Sequence, residues 1–184
     1  MKIAFNLGST KAQTFIYNQI ISIADKNNKI LIFGTDIHSD TFNDYDEIKL
    51  YLTPQNKIYH TLYLIFNFLK LLTHQPKRFL TTIIYFNGLR KMSLNRKLSW
   101  LCQVLPVLNN LPDIFHIQWG KSIESWMFLK YKFGVKIVLS LRGTHINCSP
   151  LNDENLRNVY RENFPNIDRF HAVSKSLANE ALKY

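Results

Sequence analysis

Arg142 and His145 are the residues in this sequence closest to chemistry. They lie in the stretch Lys136 to Asn147, KIVLSLRGTHIN, where an apolar run stops at Arg142, Gly143, Thr144 and His145. In open parallel α/β sheets ligands sit outside the carboxyl ends of the strands, which makes Arg142 and His145 the candidate catalytic residues. A plain surface turn after a core strand accounts for the same four residues without chemistry. A second group is in Asp113 to Trp119, DIFHIQW, where His116 and Gln118 alternate with apolar neighbours and so share one face of a strand. A core histidine with its hydrogen bonds met is the usual outcome at such a position. A third group is Gly8, Ser9, Thr10 and Thr14, at a strand-to-helix turn whose free N–H groups can hold an anion. Helix capping explains those hydroxyls nearly as well. Gly8 stands alone where a dinucleotide fingerprint needs three glycines, so no nicotinamide site is expected.

These groups need strands that deliver them to one edge. Lys2 to Leu7, Lys29 to Phe33, Asp113 to Trp119, Lys136 to Leu141 and Arg169 to Val173 read as buried strands, with a short one at Glu47 to Leu52. A helix from about Thr14 carries Ile16, Ile20, Ile23 and Ala24 on one face, and Lys121 to Phe133 and Asn152 to Phe164 read as further helices. Ser174 suits the N-cap of a closing helix and Gly134 the end of the one before it. Strand, helix, strand units imply parallel pairing with right-handed crossovers. The expected fold is therefore α/β, a doubly wound and mainly parallel sheet in one domain, with a helical insertion from Ile58 to Leu108. Gly8, Gly34, Gly120 and Gly143 each follow a strand, which suggests one crevice edge that the backbone leaves tightly.

Charge is placed unevenly. The chain of 184 residues carries +10, yet from Ile48 to Pro112 there is no Asp or Glu, while nine Lys and Arg lie there, Arg90, Lys91, Arg96 and Lys97 among them. Within this segment His60, Asn67, Lys70 and His74 form a narrow polar stripe on an otherwise apolar helix, and Leu94, Leu98, Leu101 and Leu105 keep one register on another. A basic, aromatic segment fits an anionic membrane surface, nucleic acid or an acidic partner, and a solvated helix face fits it too. No nucleic-acid reader motif accompanies it, so no nucleic acid is expected. The apolar stretch is too short and too interrupted to span a bilayer. Asp36 to Asp46, with His38, reads as a polar loop without a metal cluster. Cys102 and Cys148 form no metal-type or disulfide pattern, which suits a reducing cytosol.

Four stretches together carry a family likeness. Ala12-Gln13-Thr14-Phe15-Ile16 with Asn18-Gln19-Ile20, Asp113 to Gly120, Arg142 to Ile146, and Asp168 to Ser174 resemble, in that order, four motifs of glycosyltransferase family 4 (group 1). These are the S-E-T-F-I…N-Q-I helix opening, the D-x-x-H-x-x-x-G strand, the R-G-x-D-I turn and the D-x-x-x-A-V-S strand. The chain departs from them at Ala12, Gln13 and His145, which stand for the family's Ser, Glu and Asp. The resemblance implies a Rossmann-like domain, residues 1–184, equivalent to the amino-terminal, acceptor-side half of a retaining GT-B enzyme. The donor-binding half, with its E-x7-E motif, would lie outside this chain.

On that likeness the expected function is acceptor binding in the transfer of a sugar from a nucleotide-sugar donor to a surface-polysaccharide or lipid-linked acceptor. The crevice would include Gly8, Ser9, Thr14, His116, Gln118, Gly143 and Thr144, with no metal and no cofactor. The expected location is the cytoplasm, peripherally at the inner face of the membrane. The chain by itself would transfer nothing. The competing expectation is a non-catalytic, truncated or divergent module that binds membrane or protein.

Overall fold

The structure is a computed structural model describing residues 1–8, 13–24, 26, 28–35, 42–88 and 93–184. Its six strands are β1 (Lys2–Gly8), β2 (Lys29–Gly34), β3 (Ile48–Leu52), β4 (Ile114–Ile117), β5 (Lys136–Leu141) and β6 (Arg169–Ala172). They form one parallel sheet in the order β3-β2-β1-β4-β5-β6, the strand order of the Rossmann-like doubly wound fold. The chain is thus α/β, as expected. It divides into two compact units.

The first unit comprises Met1 and Leu7 to Pro112. It contains β2, β3 and the helices α1 (Thr14–Ala24), α2 (Lys57–His74), α3 (Pro76–Gly88) and α4 (Leu94–Asn109). Ile16, Ile20 and Ala24 bury one face of α1 at helical spacing, and Ile30 to Phe33 of β2 are buried throughout. Gly8 closes β1 with a φ of 65°, in the left-handed region that favours glycine. On α4 the expected leucine register divides: Leu101 and Leu105 are buried, but Leu94 and Leu98 are exposed. The core holds the middle and end of α4 and leaves its first turns to solvent.

The polarity of α2 runs against the usual pattern. Half of its polar stripe faces inward: Asn67 is buried and accepts from Asn109 Nδ2 on α4 at 3.0 Å, and His60 Nδ1 lies 3.8 Å from the buried Cys102 thiol, whereas His74 is exposed. Burial pushes that thiol's pKa up and keeps it protonated. Of the segment's aromatics, Tyr59 and Phe66 are exposed and Trp100 is core. Ser9, His38, Arg90 and Lys91 lie outside the described residues.

The second unit comprises Lys2 to Asn6 and Asp113 to Tyr184. It holds β1, β4, β5 and β6 with α5 (Ile123–Phe133), α6 (Ser149–Asn152), α7 (Glu154–Asn163) and α8 (Lys175–Ala181). Trp126 packs on Phe115 with ring centroids 4.5 Å apart, and Ile117, Ile137 and Leu139 complete a dry centre. Gly134 ends α5 with a φ of 69°, and Ser174 Oγ accepts from Leu177 N–H at the start of α8, both as the sequence suggested. The helix expected from Asn152 starts instead at Glu154. Asp153 adopts extended backbone and caps it, its carboxylate accepting from Leu156 N–H at 3.0 Å.

Two aspartates tie strand beginnings together. Asp113 accepts from the Lys2 backbone N–H at 2.8 Å, before β1 and β4 run side by side. Asp168 accepts from Ile137 N–H and from Lys130 Nζ, each at 2.7 Å, which joins β5, the start of β6 and α5. Burial alone would raise the Asp168 pKa, but these two donors outweigh it and hold the carboxyl below its ordinary range.

Candidate functional site

The site lies in the second unit, and strand register builds it. His116 pairs with Phe5 on one side and Val138 on the other, while Ser140 pairs with His171. Residues opposite each other point to one face, and side chains alternate along each strand. The period therefore gathers His116, Ser140 and His171 on a single face, with Gln118 and Arg142 following at the carboxyl ends of β4 and β5. Strand β4 stops at Ile117, two residues short of the sequence expectation, and this frees Gln118 and Trp119 for the site.

Two polar chains result. His116 Nε2 is 2.9 Å from Ser140 Oγ, which is 3.3 Å from His171 Nδ1, so one hydroxyl on β5 links the imidazoles of β4 and β6. His116 is 4% exposed and Ser140 1%, whereas His171 is open to solvent. Burial, then the charges of His171 and Arg142, push the His116 pKa down to about 3, so its ring is neutral at any physiological pH. In the second chain Arg142 Nη2 donates to Gln118 Oε1 at 2.6 Å, and the guanidinium lies 5.9 Å from the Trp119 ring centroid. Gln118 is fully buried, a fixed acceptor that orients the cation, and the indole face adds a cation–π contact.

Beyond Arg142 the backbone enters a π-helical turn, Thr144–Cys148, an irregularity common at functional sites. Gly143 is helical at φ −46° and a Cβ there would meet nothing. The expectation of a tight glycine turn fails at this position, because the chain leaves β5 by winding directly into the turn. His145 packs on Trp119 at 5.5 Å, and its Nδ1 is buried without a hydrogen-bond partner among the described residues. Burial, Lys121 and Arg142 all lower its pKa. Burial and Arg142 do the same to His171. Among the described residues, the charges acting on these imidazoles are Arg142, Lys121 and, on His116, His171, with no carboxylate. The result is a cationic site with neutral imidazoles, suited to an anion or a polyol rather than to acid catalysis by a carboxyl pair.

Gly120 is the glycine this site requires. A Cβ there would sit 2.6 Å from Tyr160 Oη, and that hydroxyl donates to His145 O at 3.1 Å. Tyr160 is fully buried and cannot swing away, and burial raises its pKa. The close approach of Gly120 thus seats the tyrosine that holds the π-helical turn. Gly120→Ala is expected to cost about 1–3 kcal/mol of stability, as overpacked sites do. Tyr160→Phe in the same background should recover part of it, which urea melts read as a coupling energy.

Of the residues singled out from sequence, the structure brings together His116, Gln118, Arg142 and His145, with Gly143 and Thr144 exposed in the adjoining turn. Gly8 ends β1, and Thr14 is exposed at the start of α1 in the first unit. Sequence reasoning missed Ser140, His171, Trp119 and Tyr160. Ser140 was legible as the one polar residue between Lys136 and Arg142, two positions before the arginine. Among the described residues no three His, Cys, Asp or Glu side chains are placed to hold a metal ion. Compared with protein-family models and with curated proteins, the chain matches none.

Proposed function

We propose that this chain is the acceptor-side domain of a retaining glycosyltransferase that passes a sugar from a nucleotide-sugar donor to a glycan or lipid-linked acceptor. The observation carrying the reading is Arg142, held by the buried Gln118 and by Trp119 in a cationic site with no carboxylate acting on its histidines. Retaining transfer asks the protein mainly to place an acceptor hydroxyl and steady a leaving diphosphate, which is work for positioning and fixed charge. Two of the resembling motifs, at Asp113 to Gly120 and Arg142 to Ile146, supply this site. A third, at Asp168 to Ser174, supplies the clamp below it and His171 beside it. In this reading the nucleotide is held chiefly by a second domain, and the purified 184-residue chain turns over no nucleotide sugar.

The test is a comparison of surface glycans released from a strain carrying the gene and from its deletion. Loss of one sugar residue, restored by the gene but not by its Arg142→Ala form, is the expected result. Identical glycan profiles in all three strains would remove the reading.

A further inference from the structure

We propose that the outer face of α2 is a docking surface for anionic lipid, on which the first unit lies without crossing the bilayer. Ile58, Leu62, Ile65, Leu69 and Leu72 recur at steps of four, three, four and three, one stripe along the helix. All five are solvent-exposed, from 71% at Ile58 to 40% at Leu72, and Tyr59 and Phe66 widen the stripe on one side. A surface helix ordinarily turns such a stripe to the core and its polar residues to water. Here the inner face is already supplied by Leu71, Phe68, Asn67 and His60, so a second apolar side is left for an external partner. Contiguous exposed apolar surface on this scale marks an interaction site.

Charge selects the partner. Lys57 and Lys70 border the stripe on α2, exposed Lys77 follows on α3, and no acidic residue occurs from Ile48 to Pro112. Two copies meeting through this face would set lysine against lysine with no carboxylate to offset them. An anionic lipid surface offers apolar depth and negative headgroups together, the combination that holds amphipathic helices in the interfacial plane. Tyr59 is suited to the headgroup level, with an apolar ring and a polar tip. At 18 residues, and with no described helix long and apolar enough to cross a membrane, α2 fits lying on the bilayer rather than spanning it.

The inference does not depend on the transferase reading, and flotation tests it without any sugar. The purified protein is mixed with vesicles of phosphatidylglycerol and phosphatidylcholine in equal parts, or of phosphatidylcholine alone, at low and high salt. Wild type should float with the anionic vesicles at low salt, release as salt rises, and bind the neutral ones weakly. The triple change Leu62→Gln, Ile65→Gln, Leu69→Gln should lower the partition coefficient by more than roughly tenfold. Lys57→Glu with Lys70→Glu should reduce it and flatten its salt dependence. Each side chain changed is outside the core, so circular dichroism and thermal melts should be unaltered, and the single changes serve if the triple variant does not fold. No flotation of wild type, flotation unchanged by the glutamines, or a lipid-free dimer that the glutamines dissociate would each overturn the proposal.

Discussion

Arg142→Ala is expected, on the proposed transferase reading, to lower sugar transfer about a hundredfold, the scale on which removal of one preorganised electrostatic group acts. The loss should fall mainly on kcat, because a cation fixed before the reaction stabilises charge that develops on the diphosphate more than charge already present on the bound donor. Arg142→Lys should recover little. A lysine keeps the charge but neither the planar fork that meets Gln118 Oε1 at 2.6 Å nor the flat contact with Trp119. Gln118→Leu should weaken transfer in the same direction by loosening the cation without touching substrate. Equal kcat/KM for the Arg142→Ala and parent enzymes would show that Arg142 holds the turn and nothing else.

The second large effect is on acid stability. His116 has its folded-state pKa pushed down to about 3 from an ordinary value of 6.5. Between those values the unfolded chain binds the proton and the folded chain does not, so stability is full above about pH 6.5 and falls as the solution is acidified towards pH 3. The slope from one such group approaches about 1.4 kcal/mol per pH unit within that window. His145 and His171, also shifted down, act in the same sense. Asp168 adds to it at the acid end, since its depressed carboxyl contributes stability that is lost as pH falls through its folded pKa. Urea midpoints measured from pH 7.5 to pH 4 should drop steeply below pH 6.5. His116→Gln should be less stable than the parent at neutral pH yet show a visibly shallower decline. A parallel decline in the two proteins would mean that the buried imidazole is not what makes the fold acid-labile.

Sequence alone located the central strands because burial on both faces leaves apolar runs such as ILIF in β2 and IVL in β5, whereas the edge strand β6, read as buried, is largely exposed. It located Arg142, His116 and Gln118 because polar residues at the end of such runs stand out. It could not show what strand pairing does. The meeting of His116, Ser140 and His171 depends on register between segments far apart in the chain, and no local pattern encodes that register. Gly120 and Gly143 look alike in sequence, each a glycine after a strand, yet only Gly120 faces a tyrosine at a distance that no side chain tolerates. The aspartates that open two of the resembling motifs, Asp113 and Asp168, spend their carboxylates on backbone N–H groups, and Asp168 on Lys130 as well. Helix α2 misleads most, since periodicity gives the spacing of an apolar stripe and says nothing about which side of it meets the protein.

The bond between Lys2 and Asp113 spans 111 positions, and this separation bears on how the chain acquires its fold. Strand β1 precedes the first unit in the chain but also pairs with β4, which is made only after that unit. Closing so long a loop carries an entropy cost that local helix formation does not. Non-local parallel pairing of this kind places a domain among the slower folders. The first unit, with its short-range helix contacts, is free to condense earlier in synthesis. During that interval the edge of β1 that β4 will cover has no partner on the nascent chain, a strand edge exposed to misassociation. Efficient production of the protein should therefore depend on chaperone capacity more than its final stability would suggest.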